Sequence, residues 1–275
     1  MCEGKFTMRT ASILKNKNII QNALLGDHNV YFYPSPTEKH WVLFSNLKAG
    51  LDNRCSVLYI ASMESIERVQ LEMESFGLSP DNCAKLKIVT SNQWYTPDGQ
   101  FKADRVVEQY RSLIDESLDK GFEGLYVSAD VAETFDYLSK NLTPWLKYEN
   151  SFGRTFKFPM EAICAYRTDQ IKLNGQALLQ LLQAHKSTIT SKTANFLDNQ
   201  KLYIDAVTKE FDNIFGEEVT KIIFHYLERL LKIPRNQIPD KIEVFNKALE
   251  SIFGDVATIL NQKVLKNLHG KIELE

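Results

Sequence analysis

Over the first two thirds of the chain, short apolar runs alternate with longer amphipathic stretches. The runs Val30–Tyr33, Ser56–Ala61, Leu86–Thr90, Gly124–Ser128 and Ala162–Tyr166 are rich in β-branched and aromatic residues and predict strands. Between them, apolar residues recur at helical spacing: Leu43, Phe44, Leu47 and Leu51; then Ile66, Val69, Met73 and Phe76; then Val106, Tyr110, Leu113 and Leu118. A helix around Ile13–Leu25 is predicted before the first strand. Another, Gln176–His185, follows the last, and Thr188–Thr190 adds a short edge strand. Apolar strands alternating with helices of this length predict βαβ units, and hence an α/β fold with a mainly parallel sheet flanked by helices.

From Asn195 the pattern becomes helical to the end, broken at KIPRNQIPDK, where Pro234 and Pro239 lack the amide hydrogen that a helix interior uses. The segment IFGEEVTKII (214–223) is echoed by IFGDVATILN (252–261). Gly216 and Gly254 are placed to end one helix and start another, with acids at the new N-terminus. The predicted organisation is an extension (1–20), an α/β domain (21–190) and a small all-α C-terminal domain (191–275). The stripes Val219, Ile222, Ile223, Tyr226, Leu227, Leu230 and Val256, Ile259, Leu260, Val264, Leu268 are wide for so small a bundle. They predict a homodimer through the C-terminal helices, with Ile223 and Leu227 at the contact. An intramolecular interface in a monomer is the alternative.

Composition narrows the classes. With a net charge of −2, nothing favours nucleic acid or an anionic membrane as partner. The four cysteines, Cys2, Cys55, Cys83 and Cys164, show no metal-site spacing, and reduced thiols in a cytoplasmic protein are expected. No segment has the apolar length of a signal peptide or a membrane span.

The segment VYFYPSPTEKHW (30–41) has the frame of a phosphate-binding loop without its glycines. Pro34 and Pro36 donate no hydrogen bonds, Glu38 repels phosphate, and Thr37 is expected to cap a helix beginning at Glu38. Asp130 follows a strand at the sheet edge where ligands bind in open α/β folds. It fits either a magnesium-holding acid or a helix cap. Glu149 reads as a base or a satisfied surface acid, and Cys164 as a small core residue. The five histidines are scattered, so no metal site, cofactor or catalytic triad is assigned. In NQWYTPDGQF (92–101), Thr96–Gly99 is turn chemistry, and Trp94, Tyr95 and Phe101 either wall a pocket or pack the loop down.

Taken in order, HNVYFYPSPTE, SVLYIASMES, YTPDGQF, GLYVSAD, YEN, AICAYRTD and LLQAH resemble the MEDS (methanogen/methylotroph, DcmR sensory) domain, over roughly residues 20–190. The loop residues Tyr95, Asp98, Gly99 and Phe101 are the most specific element. The resemblance implies a degenerate RecA/KaiC-like fold that has lost the phosphate loop, and a sensor of small organic ligands. It places the ligand among His28, Tyr33, Trp94, Tyr95, Asp130, Tyr148, Glu149 and Tyr166. One departure is that family members often carry Trp shortly after the acid aligned with Asp130, where this chain has Ala132, Glu133 and then Phe135. The C-terminal part resembles a helical module associated with archaeal proteins. The expected function is therefore a non-enzymatic sensory protein. The alternatives are a nucleotide-binding or hydrolysing enzyme and a protein-binding scaffold.

Overall fold

The computed structural model describes residues 23–272, apart from 79–84, 173, 191–195 and 233. The predicted N-terminal extension and most of the helix expected at Ile13–Leu25 lie outside the described residues, and residues 23–25 are not helical.

The apolar runs become strands with small boundary shifts: β1 (His28–Tyr33), β2 (Ser56–Ala61), β3 (Leu86–Thr90), β4 (Leu125–Asp130) and β5 (Met160–Arg167). The intervening helices are α1 (Pro36–Asp52), α2 (Ile66–Phe76), α3 (Ser91–Tyr95), α4 (Ala103–Asp119), α5 (Ala132–Tyr137) and α6 (Thr143–Phe152). After β5 come α7 (Thr168–Lys172), α8 (Gly175–Ala184), β6 (Ser187–Ile189) and β7 (Phe196–Asp198). The seven strands order as β3-β2-β4-β5-β1-β6-β7. All pairs are parallel except β6–β7, so β6 is an interior strand and β7 forms the edge.

The sheet is buried on both faces, and strand alternation assigns each side chain to one core. Val30 and Phe32 of β1, Ala162, Cys164 and Tyr166 of β5, and Val127 and Ala129 of β4 join α3, α4, α6 and α8 on the first face. Tyr31 and Tyr33, Ile163 and Ala165, and Tyr126 pack with α1 and α2 on the second. Helix α1 lies close on this second face, where a Cβ on Gly50 would come within 2.6 Å of the Tyr126 Cβ.

Three expectations are corrected locally. Ser35, rather than Thr37, caps α1: its hydroxyl accepts from the Glu38 N–H at 3.4 Å, and Pro36 occupies the first turn. Residues Phe196–Asp198 are a strand, not the start of a helix, because their backbone completes the sheet beside β6. The stretch expected to be a loop around Trp94 contains a short helix, α3, opened by a reciprocal capping box between Thr90 and Gln93.

Four helices follow: α9 (Asn199–Phe215), α10 (Glu217–Leu231), α11 (Ile242–Phe253) and α12 (Val256–Lys271), with a 3-10 segment at Arg235–Lys241. Gly216 and Gly254, both at positive φ, separate the helices as expected. The buried residues Leu202, Tyr203, Ala206, Val207 and Phe211 of α9 share one continuous apolar cluster with the first sheet face. The wide stripes divide. Leu227, Leu260 and Leu268 are fully buried, whereas Val219, Ile222, Tyr226 and Leu230 on α10, and Val256 and Ile259 on α12, are exposed. Leu227 is therefore a core residue rather than a surface contact.

On the second face, Glu161 of β5 is fully buried, with Oε1 accepting from Asn29 Nδ2 at 3.2 Å and Oε2 from Asn46 Nδ2 at 2.8 Å. Burial outweighs these two amides and raises its pKa from 4.5 to about 8. The folded state thus holds this proton more tightly than the unfolded state. The group's contribution to stability is complete below about pH 4.5 and is lost as pH rises through about 8. That contribution is roughly 5 kcal/mol. Urea unfolding from pH 5 to 8.5 should show the gap between wild type and Glu161→Gln changing in the variant's favour as pH rises; a constant gap would refute it.

Candidate functional site

The eight residues expected to surround one ligand divide between the two faces. Tyr33 and Asp130 lie on the second face, at the C-terminal ends of β1 and β4. His28, Trp94, Tyr95, Tyr148, Glu149 and Tyr166 lie on the first. The sheet separates the two groups, so they do not form a single pocket.

The second-face group is a closed electrostatic network. Tyr33 and Asp130 are separated by β5, and the small Ala165 between them leaves room for the Tyr33 hydroxyl to donate to Asp130 Oδ1 at 3.1 Å. Lys39, on the first turns of α1 and only 3% exposed, donates to Asp130 Oδ2 at 2.9 Å and to Glu64 Oε2 at 2.7 Å. Glu64 also meets His40 Nε2 at 3.0 Å, and the other ring nitrogen of His40 is paired with Glu72. Burial opposes the charge on Lys39, but Asp130 and Glu64 outweigh it and raise its pKa above the ordinary lysine value. Burial likewise opposes ionisation of Glu64, yet hydrogen bonds from His40 and Lys39 hold it at about 2. Asp130 also accepts from the Ala132 N–H at 3.2 Å, so it supports the start of α5 while balancing a cation. Lys39 thus spends its charge on two carboxylates.

The first-face group is different in kind. His28 begins β1, Cys164 lies in β5, Glu149 projects from α6, and His185 follows α8. All four are buried. Glu149 Oε2 lies 3.4 Å from His28 Nε2 and 3.5 Å from His185 Nε2, and Cys164 Sγ lies 3.6 Å from His28 Nε2. The outer atoms of the group are fixed. His28 Nδ1 is shared between the carbonyls of Gly153 at 2.9 Å and Ala184 at 3.1 Å, and His185 Nδ1 reaches the Leu181 carbonyl at 2.7 Å. Because carbonyls only accept, both Nδ1 atoms carry the hydrogen. In the neutral rings Nε2 is then a bare acceptor, and both Nε2 atoms face the carboxylate. Glu149 Oε1 accepts from the Tyr166 hydroxyl at 2.7 Å, and that oxygen in turn accepts from Trp145 Nε1 at 3.0 Å. Among the described residues, Glu149 Oε2 and His185 Nε2 have no hydrogen-bond partner. Burial, reinforced by the neighbouring His28, pushes the His185 pKa well below its ordinary value; burial also pushes the Cys164 thiol up.

Glu149 is therefore not a surface acid. The signal for this was in the helix: Trp145, Tyr148, Glu149 and Phe152 recur at i, i+3, i+4 and i+7, which places the acid on the buried stripe of α6. His185 and Cys164 were missed because their partners come from separate elements, and ligand spacing within one motif cannot reveal such a set.

The aromatic residues close around this centre rather than around an open cavity. Trp94 packs against Tyr110, with ring centroids 5.1 Å apart, and Tyr95 meets Trp145 at the same separation. Phe101 and Tyr148 extend the wall to Phe152. Nearby, a cleft of about 770 Å³ opens between α6, α8 and residues 240–244, lined by polar side chains including Asn150, Gln180, Gln183 and Asp240. Trp94 and Tyr95 do not line it.

Asp240 joins this region to the C-terminal helices. Its carboxylate meets Arg154 at 2.6 Å and Gln200 at 3.2 Å, and its carbonyl accepts from Gln183 at 2.7 Å. Arg154 follows Gly153, and Gln183 precedes Ala184, the two residues whose carbonyls hold His28.

A family model described as the methanogen/methylotroph, DcmR sensory domain (MEDS) matches residues 27–186, more than half of the chain. No curated protein matches. Among the described residues, no helix is long and apolar enough to cross a membrane.

The closed network makes a quantitative expectation. Lys39→Met strands Asp130 and Glu64 without their cation and should destabilise the fold by about 3–5 kcal/mol in urea unfolding. Adding Asp130→Asn should recover a large part of that loss. If the two losses simply add, the pair is not coupled as described.

Proposed function

The chain belongs to the MEDS sensory family, and from that premise we propose that it senses a small organic molecule and passes the result to its C-terminal helices. The observation that carries this reading is the buried first-face group, where a carboxylate oxygen and an imidazole nitrogen that have no hydrogen-bond partner among the described residues lie among aromatic rings. Buried polar atoms without partners are costly, so a small molecule that supplies a donor there would gain binding energy from satisfying them. The route outward supports the same reading. The carbonyls that hold His28 adjoin Arg154 and Gln183, and both of these grip Asp240 of the C-terminal module.

The second face favours binding over nucleotide chemistry. The turn after β1 stands where a phosphate-binding loop would, but Pro34 and Pro36 offer no donors and Lys39 is neutralised by two acids. The protein is accordingly read as a sensor rather than an enzyme.

A thermal-shift screen of short alcohols, amines, carboxylic acids and hydrocarbons, with nucleotides as a second panel, tests this. An organic compound should raise Tm in proportion to its concentration, and Tyr166→Phe should weaken that response by about tenfold, the range of one hydrogen bond. Hydrogen exchange in residues 240–253 should slow with the ligand, and Asp240→Asn should remove that effect while leaving the shift in Tm. Stabilisation by ATP with magnesium and by no organic compound would overturn the reading.

The exposed residues Val219, Ile222, Tyr226 and Leu230 form a seam at spacings of three and four along α10, which a second copy would cover by helix pairing. A homodimer is proposed, and its contact residues are Ile222 and Tyr226 rather than Leu227. Sedimentation at tens of micromolar should give a dimer that Ile222→Glu converts to a folded monomer. A wild-type monomer would reject it.

A further inference from the structure

We propose that His28, Glu149, Cys164 and His185 form a binding site for one divalent transition-metal ion of the zinc type. In its biological role, though not in its chemistry, this rests on the sensing reading above.

Geometry is the first argument. A tetrahedral zinc centre with bonds of about 2.0–2.3 Å has edges of roughly 3.3–3.6 Å between ligand atoms. The contacts of 3.4, 3.5 and 3.6 Å that link the carboxylate, the two imidazoles and the thiol fall in that range. All four ligand atoms lie within 4.8 Å of one another, so small side-chain adjustments close the remaining edges. Two nitrogens, one sulfur and one carboxylate oxygen suit zinc, and the closed four-ligand set suits a structural or ligand-responsive ion.

The second argument is orientation. Metal-bound histidines donate their other ring N–H to a carbonyl or carboxylate, which fixes the tautomer. Both histidines do so here: His28 to Gly153 and Ala184, His185 to Leu181. The free oxygen of Glu149 points inward while its other oxygen is held by Tyr166. The group therefore brings four ligand atoms from four separate elements within 4.8 Å of one another.

Charge supplies the third argument. A carboxylate and a thiolate carry two negative charges, and a divalent ion cancels them in a place from which water is excluded. Binding would release the thiol proton of Cys164 to solvent and form the metal–sulfur bond, with no change in oxidation state. The second trio in reach of an ion, His40, Glu64 and Glu72, lacks this character, because Lys39 already supplies its positive charge.

The test uses the full chain, purified under reducing conditions and stripped with a chelator. Zinc added alone should bind at one ion per chain and raise Tm, as a ligand of the native state does. Cobalt(II) in its place should give the intense d–d bands of a tetrahedral site together with thiolate-to-metal charge transfer. Cys164→Ser should remove the charge transfer and weaken zinc binding at least tenfold. Tyr166→Phe should weaken it by about tenfold while keeping the cobalt spectrum. The wild-type cobalt spectrum decides the matter even if a variant fails to fold. A folded, reduced wild-type chain that takes up no zinc at a hundred times its own micromolar concentration overturns the site, as does an octahedral cobalt spectrum without sulfur. Zinc bound with the expected spectrum, in a protein whose residues 240–253 exchange identically with and without every organic compound, supports the site and removes its sensing role. A chain that binds an organic compound but no zinc keeps the sensing role and refutes the metal.

Discussion

A carboxylate buried between a sheet and the helices that cover it has to be balanced by protein groups, because water cannot reach it. Three acids meet this constraint here in different ways. Asp130 is balanced by a buried cation, Lys39. Glu161 is balanced by two asparagine amides, and burial raises its pKa to about 8. Glu149 is balanced on one oxygen only, by Tyr166, and its second oxygen faces two imidazole nitrogens that are themselves acceptors. Among the described residues, both oxygens of the first two acids have partners, although the carbonyl oxygens of Asn29 and Asn46 do not. The third calls for a proton, a donor or a cation from outside.

Strand alternation decides which residues can take part in each arrangement. His28 and Tyr33 are both on β1, but an odd separation sends their side chains to opposite faces. No single ligand can touch both, whatever their proximity in sequence. Backbone register supplies the finer placement. Cys164 pairs with Val30 rather than with His28, so thiol and imidazole meet diagonally across β1 and β5.

Much of the fold was legible because its signals are local. Two strand boundaries, Ser56–Ala61 and Leu86–Thr90, coincide with their apolar runs, and the glycines at 216 and 254 separate helices as their positions suggested. The three-residue strand β7 was not legible, since nothing in Phe196–Asp198 distinguishes it from the helical pattern that follows. Its strand character comes from pairing with β6. The site was legible in part. His28, Glu149, Tyr148 and Tyr166 were named in advance, and the structure brings them together; Tyr33 and Asp130 belong to another group. His185 and Cys164 escaped because a histidine after a helix and a cysteine within a strand carry no local mark of their partner.

The difference between the closed and open groups bears on signalling. A network in which each charge has its partner resists change, because any displacement breaks an interaction before it makes another. The first-face group can gain from rearrangement, since Glu149 Oε2 and His185 Nε2 lack hydrogen-bond partners among the described residues. Whatever satisfies them touches both α6, which carries Glu149, and the residue that follows α8, His185. Arg154, two residues beyond α6, and Gln183, near the end of α8, both hold Asp240. A shift that changes their separation cannot leave Asp240 equally bonded to both. Packed interfaces respond to such a mismatch by moving between discrete arrangements rather than by stretching. The C-terminal helices, continuous with the same core, are therefore tied to the elements that carry the buried group through Asp240.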